Sequence, residues 1–463
     1  MNSALTPDPS PAGRGEVRGS FSDSAARGLY TALAFAAVPF LPMKLWWRGR
    51  REAGYRQAIG ERFGRYATSA VPAPLYWVHA VSVGETRAAL PLVQRLKSAH
   101  PEATILLTHM TAAGREAGRM LLGDAVTQAW LPYDLPFAVR AFFAHFHPVA
   151  GFLLETELWP NLIARASALR VPLFLINARL SERSARGYAR FPALTRPMLR
   201  RLTGVAAQSA DDARRLEGLG AAAPAVTGNL KFDLSVPDTA RTLAGEFRLR
   251  FGAATRPVWI AASTRDGEEA LIFDAMARAS LPARALTLIV PRHPQRFDVV
   301  ADILQRRGIP FVRRSSNAAV PADVSVVLGD SMGEMLAYYA AADVAFVGGS
   351  LLPFGAHTLI EPLSVGTPVL IGRHTFNFAE ATQNALSAGA AIRVEDADAL
   401  IANVARLLGD AAARAAMALA ARTFHEAHRG ASDRLWAWLA PQLSVLRSAS
   451  SDYKQGSSRP DHG

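Results

Sequence analysis

A chain of 463 residues, half of them hydrophobic, is too long for one ordinary domain and apolar enough for two hydrophobic cores. The absence of cysteine excludes disulfides, thiolate metal sites and a cysteine nucleophile. The formal charge of +12 favours an anionic partner. The basic residues are scattered and carry no zinc-finger or aromatic RNA-binding signature, so we expect no nucleic-acid partner.

The first predicted element is an apolar segment near the N-terminus. Residues 28–43 form an uncharged, largely apolar run, and Trp46, Trp47 and a basic cluster follow it. This order is typical of a membrane anchor, with aromatic side chains at the interface and a basic flank in the cytoplasm. A buried helix of a soluble protein is the alternative, because two prolines interrupt the run and a full span needs ~20 apolar residues.

From residue 75 onward, short apolar runs alternate with helical stretches, a pattern that predicts βαβ units on a parallel sheet. A second series of such runs begins at residue 258. We therefore predict an α/β protein with two doubly wound, Rossmann-like domains facing a cleft. The predicted strands lie at 75–81, 104–107, 128–131, 149–154, 173–176 and 205–208, and then at 258–262, 286–290, 310–312, 325–328, 344–347, 368–371 and 391–394.

These elements divide the chain into six predicted segments. They are a mobile N-terminus (1–27), an anchor helix with its basic flank (28–59), a first Rossmann-like domain (60–235), a linker (236–256), a second Rossmann-like domain with closing helices (257–447) and a mobile tail (448–463). The two ends are assigned by their Ser-, Gly-, Pro- and Asp-rich composition.

Ligands of doubly wound folds bind at the carboxyl ends of the strands. In the second series, Arg292 and His293 follow one strand, and arginine can bind a phosphate through two hydrogen bonds. Glycine-rich loops at 329–335 and 348–350 follow two others, and a third run, 355–362, contains Glu361 at a helix start. Each loop alone could be an ordinary turn, but three at successive strand ends favour a nucleotide site.

Carboxylates follow the strands of the first series. Glu85 closes the run Ser-Val-Gly-Glu at a helix start, where it could remove a proton from a hydroxyl or merely cap the helix. Glu155 and Glu157 share a proline-stopped loop, and Lys231 could meet an anionic donor or pair with Asp233. The sequence has no HExxH pair or other metal motif, so we expect no metal and no cofactor.

In this order, the motifs resemble those of the 3-deoxy-D-manno-octulosonic acid (Kdo) transferases of Gram-negative lipopolysaccharide assembly. The resemblance extends from about residue 30 to the last helix. It rests on Ser-Val-Gly-Glu at 82–85, Glu-Thr-Glu-Leu-Trp-Pro at 155–160, Asn-Ala-Arg-Leu-Ser at 177–181, Gly-Asn-Leu-Lys-Phe-Asp at 228–233, Pro-Arg-His-Pro at 291–294 and Gly-Glu-Met at 333–335.

The resemblance implies the GT-B glycosyltransferase architecture, with an acceptor-binding first domain and a nucleotide-sugar-binding second domain. It also implies inverting, metal-independent transfer of Kdo from CMP-Kdo to a lipid A precursor (lipid IVA). The expected location is the inner membrane, in contact with its phospholipid, with the catalytic domains on the cytoplasmic face.

The resemblance also implies roles for individual residues. Glu85 is the expected general base, and Glu155 and Lys231 the expected transition-state stabilisers. The expected CMP contacts are Arg292, His293, Gly333, Glu334, Met335, Thr358, Leu359, Ile360 and Glu361. The sequence departs from the family where Gly-Gly-His-Asn is usual and Gly-Ala-His-Thr stands at 355–358. A threonine can still donate a hydrogen bond, so we expect CMP binding to be retained.

Two other functions remain open on the residues alone. Another GT-B glycosyltransferase or a sugar-nucleotide epimerase could use the same fold, because fold does not fix chemistry. A non-catalytic, membrane-tethered nucleotide-binding protein is the second, and it would have no need of a carboxylate such as Glu85.

Overall fold

The structure, a computed structural model, describes residues 21–67, 72–233, 236–252, 256–279 and 281–456. Of the two predicted mobile ends, 1–27 and 448–463, the parts at 1–20 and 457–463 lie outside these ranges. The remaining parts, 21–27 and 448–456, belong to the helices Phe21–Ala37 and Ala431–Gly456. The described residues form two compact units. The first contains the chain up to Gly228 and again from Ser432, and the second contains 229–431.

The first unit is built on a parallel sheet that has seven strands in the described residues, in the order β3-β2-β1-β4-β5-β6-β7. The order reverses between β1 and β4, which is where doubly wound folds bind ligands. Its elements are α1 (Phe21–Ala37), α2 (Phe40–Arg51), β1 (Leu75–His79), α3 (Val83–Ala99), β2 (Thr104–His109), α4 (Ala112–Leu122), β3 (Thr127–Trp130), α5 (Pro136–Phe146), β4 (Ala150–Leu154), α6 (Pro160–Ala168), β5 (Leu173–Ala178), α7 (Glu182–Ala189), α8 (Pro192–Arg200), β6 (Gly204–Ala207), α9 (Ala210–Gly218) and β7 (Ala225–Val226).

The second unit repeats the architecture, with the described strands in the order β10-β11-β9-β8-β12-β13-β14 and a reversal between β8 and β12. Its elements are α10 (Asp238–Arg250), β8 (Val258–Thr264), α11 (Glu268–Arg278), β9 (Leu286–Pro291), α12 (Phe297–Arg306), β10 (Phe311–Arg313), β11 (Val326–Leu328), α13 (Met335–Ala341), β12 (Val344–Val347), α14 (Ile360–Ser364), β13 (Val369–Ile371), α15 (Ala379–Ser387), β14 (Ala391–Arg393), α16 (Ala397–Gly409) and α17 (Ala411–His428). Every predicted strand is present, and β7 was missed because two residues carry no periodicity.

Both sheets bury a tryptophan on a strand at which the strand order reverses, and both satisfy its indole N–H in the same way. Trp77 on β1 donates to the Thr108 hydroxyl on β2 (2.7 Å), and Trp259 on β8 donates to the Thr287 hydroxyl on β9 (2.9 Å). A buried indole N–H needs such a partner, so each large ring fills its core without leaving an N–H group unbonded.

The chain crosses between the units at places that differ from the predicted boundaries. Helix α10, in the predicted linker, packs into the second unit: Phe247 is buried and stacks on Tyr338 with ring centres 5.0 Å apart. The last helix, α18 (Ala431–Gly456), belongs from Ser432 on to the first unit, where the Trp438 ring meets Phe174 edge-on at 5.9 Å.

The segment predicted as one anchor helix forms two, α1 and α2, which are bent by 56° at the break. Pro39 causes the break because proline has no N–H to donate within a helix. Helix α1 is fastened to the first unit, where the Thr31 hydroxyl donates to Asn161 (3.1 Å) and the Tyr30 side chain bonds Asp134. Among the described helices, none alone has the length and apolarity to cross a membrane, while the bent pair does by those two criteria.

Candidate functional site

The first candidate site lies at the carboxyl end of β1. The hydroxyl oxygen of Ser82, which caps α3, accepts a hydrogen bond from the Glu85 backbone N–H (3.3 Å). The Glu85 carboxylate bonds back to the two residues that precede the helix: Oε1 accepts from the Ser82 hydroxyl (2.8 Å) and Oε2 accepts from the Val81 N–H (2.9 Å). Capping therefore holds the proposed base in one orientation, so the two interpretations of Glu85 are compatible.

The environment of Glu85 makes it a stronger base than an ordinary carboxylate. The residue is only 7 % exposed. Burial, and then the negative charges of Glu155 and Glu157, raise its pKa from 4.5 to about 7, against the bonds from Val81 and Ser82, which lower it. A carboxylate that titrates near neutral pH is suited to general-base catalysis.

Glu155 reaches this site from the neighbouring strand. It directly follows β4, which pairs with β1 at the point where the strand order reverses. Glu155 and Asn177, at the ends of the adjacent strands β4 and β5, have φ of +57° and +48°. Asparagine adopts left-handed backbone readily, whereas for Glu155 it costs free energy of the order of 1–2 kcal/mol, and such strain clusters at functional sites. The structure thus brings Glu155 and Glu85 together, as predicted for the strand ends.

Glu157 is the third carboxylate of this group. Its Oε2 accepts a hydrogen bond from the Trp159 indole N–H (2.9 Å) and lies 3.8 Å from Nε2 of His79. The Thr156 hydroxyl between the two glutamates donates to the Arg179 carbonyl. The loop 155–159 is therefore held by its own side chains, with both of its acids close enough to act on Glu85.

The second candidate site, in the other unit, gathers positive charge. We call Arg265, Arg292, His293 and His357 the basic cluster. Burial and the neighbouring arginines lower the pKa of His357 to about 3 and also lower the pKa of His293. Both imidazoles are therefore neutral at pH 7, and the two arginines supply the charge. The Arg265 guanidinium lies 4.6 Å from the centre of the Phe354 ring. Such a set of donors suits an anionic group such as phosphate.

A buried glutamate holds the loops that carry this cluster. Glu268, 0 % exposed, accepts hydrogen bonds from the backbone N–H groups of Gly349 (2.7 Å), Ser350 (3.0 Å), Leu351 (3.0 Å) and Arg265 (2.9 Å). These amides of the glycine-rich loop bind the protein's own carboxylate. Glu268 therefore holds the glycine-rich loop in place and connects the end of β8 to the end of β12.

The loop at 329–335 is also internally bonded. Glu334 accepts hydrogen bonds from Arg314 Nη2 (2.7 Å), from the Tyr338 hydroxyl (3.2 Å) and from the Ser331 hydroxyl. Gly333, with φ of +83°, makes the turn that precedes Met335 at the start of α13. The Glu334 side chain therefore fixes this loop at the end of β11.

The run 355–361 enters α14 after β12. The Thr358 side-chain oxygen accepts a hydrogen bond from the Ile360 N–H (3.2 Å), while Leu359 and Ile360 are buried. Glu361 stands in the first turn of α14. Ala356, where the family pattern has glycine, has φ of +66°, so alanine occupies a conformation that glycine adopts more readily.

Lys231 lies in the second unit, although the predicted boundary places it in the first domain. It stands on a 3₁₀ turn, Leu230–Asp233, with Nζ 5.8 Å from the centre of the Phe378 ring. Asp233 accepts a hydrogen bond from the Gly430 N–H (2.6 Å), a bond that fastens this turn to the end of α17. The described residues contain no cluster of three or more His, Asp or Glu side chains that could hold a metal ion.

Comparison with known proteins decides the family. Residues 57–234 match the model of the 3-deoxy-D-manno-octulosonic-acid transferases, and residues 290–424 match glycosyl transferases group 1. The 3-deoxy-D-manno-octulosonic acid transferase of Bordetella pertussis is 45 % identical over 88 % of this chain and 97 % of its own length. The chain belongs to the Kdo transferase family. The transferase of Haemophilus influenzae is 37 % identical over 90 % of this chain and 99 % of its own length.

The structure of this Kdo transferase has neighbours with other activities. The UDP-GlcNAc 2-epimerase of Neisseria meningitidis aligns with a TM-score of 0.53 and 15 % identity, over 79 % of this chain and 100 % of that one. This likeness shows the fold alone. The two parallel-sheet α/β units and the glycosyltransferase match confirm the GT-B class, and the family match shows that the protein is a glycosyltransferase that acts on Kdo in lipopolysaccharide synthesis.

Sequence reasoning missed three side chains of this Kdo transferase. Arg265 and Glu268 follow β8, so the strand-end rule that selected Arg292 could have found them. His79, the last residue of β1, gave no signal, because a lone histidine in an apolar strand is usually a core residue. Only the fold shows that it faces Glu157.

Proposed function

We propose that this transferase moves Kdo from CMP-Kdo to a lipid A precursor, lipid IVA, in a single inverting displacement that needs no metal ion. The observation that carries the proposal is Glu85, a buried carboxylate with a pKa of about 7 beside two further acids. The resemblance of the motifs and the family membership support the choice of donor and acceptor.

The reaction forms one bond and breaks one. A hydroxyl oxygen of the acceptor sugar bonds to the anomeric carbon of Kdo, and the bond from that carbon to the phosphate oxygen of CMP breaks. Glu85 takes the hydroxyl proton. Attack from the side opposite to CMP inverts the configuration at the anomeric carbon. Glu155 and Lys231 are the proposed stabilisers of the transition state.

The basic cluster is the proposed site of the leaving phosphate. Two arginines can balance its charge through hydrogen bonds, the work that a metal ion does in other transferases. The loops with Gly333, Glu334 and Met335 and with Thr358 to Glu361 are the proposed contacts of the cytidine and ribose. The arginines of the basic cluster suit the phosphate of CMP, and the carboxylate of Glu361 at the start of α14 suits its ribose.

We also infer that the enzyme binds the cytoplasmic face of the inner membrane through α1 and α2. The pair exposes large apolar side chains beside Lys44, Arg48 and Arg50, a composition typical of interfacial helices that bind anionic phospholipid. The exposed apolar residues are Leu29, Leu33, Phe35, Phe40, Met43, Trp46 and Trp47.

The membrane proposal is tested by sedimentation with phosphatidylglycerol vesicles. We expect Trp46→Gln/Trp47→Gln to reduce the bound fraction severalfold. Leu249→Gln, at an apolar residue of the second unit that is more exposed than either tryptophan, should leave it unchanged. Equal binding of both variants would show that α1 and α2 do not bind the membrane.

The catalytic proposal is tested with purified protein, CMP-Kdo and lipid IVA. We expect a lipid product heavier by one or more Kdo residues, formed equally with and without excess EDTA, and with an inverted anomeric configuration by NMR. Release of free, epimerised sugar without a heavier lipid would favour the epimerase alternative. A requirement for magnesium would overturn the metal-independent part.

A further inference from the structure

The mechanism leaves one buried histidine of the first site without a role. His79, the last residue of β1, is 0 % exposed. Its Nδ1 lies 3.1 Å from the Thr108 carbonyl oxygen and 2.9 Å from the Thr108 hydroxyl on β2. Burial of a ring with two polar nitrogens is costly unless both are used. The question is therefore what the other nitrogen does.

Thr108 offers Nδ1 of His79 two kinds of partner. Its carbonyl oxygen can only accept a hydrogen bond, whereas its hydroxyl, the nearer of the two, can also donate one. The Trp77 indole N–H already donates to this hydroxyl oxygen, so the hydroxyl hydrogen is directed elsewhere. When Nδ1 accepts that hydrogen, Nε2 of the neutral ring carries the N–H and is a donor.

Nε2 of His79 is directed toward the loop 155–159. It lies 3.8 Å from Oε2 of Glu157 and has no hydrogen-bond partner among the residues that the structure describes. Two acceptors that face each other repel, whereas an N–H that faces a carboxylate is attracted to it. The contact therefore favours the ring that directs an N–H at Glu157.

The Glu157 carboxylate is partly open to a ligand. Its side chain is 24 % exposed, and the Trp159 indole N–H occupies one direction of Oε2. The other oxygen, Oε1, remains able to accept a hydrogen bond. The charge of Glu157 acts on Glu85, so a ligand hydroxyl bound at Glu157 would lie near the base.

We propose that His79 is a positioning residue that fixes the Glu157 carboxylate, and that Glu157 binds a hydroxyl of the acceptor sugar beside Glu85. This inference rests on the transferase function proposed above. The charged groups that act on Glu85 are Glu155 and Glu157 of the loop 155–159. The titratable groups that face His79 are Glu157 of that loop and His109 of β2.

Two substitutions of His79 separate its two nitrogens. Asparagine places its amide near the position of Nδ1 and leaves nothing at Nε2, whereas glutamine places its amide near Nε2. We expect His79→Asn to lower kcat/KM for the lipid acceptor about tenfold, because the Glu157 carboxylate loses the polar contact that orients it, with the KM for CMP-Kdo unchanged. We expect His79→Gln to stay within about threefold of the wild type.

Glu157→Gln supplies the second readout. We expect Glu157→Gln to raise the KM for the acceptor and so to lower kcat/KM as much as His79→Asn does. The acidic limb of the pH–rate profile should also shift to lower pH, because one charge that raises the pKa of Glu85 is gone. In the double variant with His79→Asn, the losses should not add.

The outcomes are distinct. Equal losses in His79→Asn and His79→Gln, additive losses in the double variant, or a change confined to the KM for CMP-Kdo would each overturn the inference. Failure of the wild type to transfer Kdo to the lipid would instead overturn the proposed function. Thermal unfolding of each variant identifies any loss that comes from misfolding.

Discussion

The two units have the same strand arrangement and opposite charge at their strand ends. Where the order reverses in the first sheet, Glu85, Glu155 and Glu157 collect; at the corresponding edge of the second, the basic cluster collects. The fold fixes where side chains meet, and the residues at the strand ends fix what they do.

The consequence for titration is opposite in the two places. Burial disfavours charge in both, but like charges push carboxylate pKa values up and histidine pKa values down. The first unit therefore makes a base of a residue that is normally ionised and weakly basic. The second keeps its imidazoles neutral and leaves the positive charge to arginine.

The largest expected effect is on Glu85. We expect Glu85→Gln to lower turnover by ~10²–10⁴-fold, because an amide cannot accept the hydroxyl proton. The KM for CMP-Kdo should hardly change. Glu182→Gln is the control, since Glu182 is an exposed glutamate in the first turn of α7. Turnover of Glu85→Gln at the level of this control would remove Glu85 as the base.

The pH dependence tests the raised pKa. Activity should fall about tenfold for each pH unit below 7, so that at pH 5 it is about one hundredth of the plateau. Stability should show the reverse sign, because a raised pKa stabilises the folded state below pH 4.5 and this gain is lost as the pH rises through 7. Relative to the wild type, Glu85→Gln should therefore become more stable by roughly 3 kcal/mol between pH 4.5 and pH 8 in urea unfolding. A pH-independent difference would contradict the raised pKa.

The donor side is tested by Glu268→Gln. The amide keeps one acceptor and sets an N–H₂ group against backbone N–H donors, so we expect a loss of about 3 kcal/mol in the free energy of unfolding and a higher KM for CMP-Kdo. The exposed Glu395→Gln is the control. An unchanged KM in a folded variant would show that the loop is not part of the donor site.

The smallest effect is expected at Ala356. Its left-handed backbone favours glycine, while its buried methyl group favours alanine, and the two terms are each of the order of 1 kcal/mol. We expect Ala356→Gly to change stability by less than ~0.5 kcal/mol, measured by thermal unfolding. Ala345→Gly, in the buried strand β12, has no strain to relieve and should cost more than 1 kcal/mol. Equal losses at both positions would show that the backbone at Ala356 is not strained.

Sequence reasoning located most of the fold and the strand ends that carry the candidate residues. Buried parallel strands are near-continuous apolar runs, so their periodicity survives in the sequence, and the strand ends follow from it. The boundaries were harder. The polar surface of α10 suggested a linker, whereas its Phe247 side chain packs into the second core, a contact that no local pattern encodes.

The sequence by itself determined the family, the two α/β series and the order of the motifs, because these depend on residues that are close along the chain. Only the tertiary structure decided that Glu155 and Glu157 act on Glu85, about seventy positions earlier, and that His79 faces Glu157. It also decided that Glu268 binds the amides of a loop some eighty residues away. Charge and burial act through space, so a pKa belongs to the folded arrangement and cannot be assigned from neighbours in sequence.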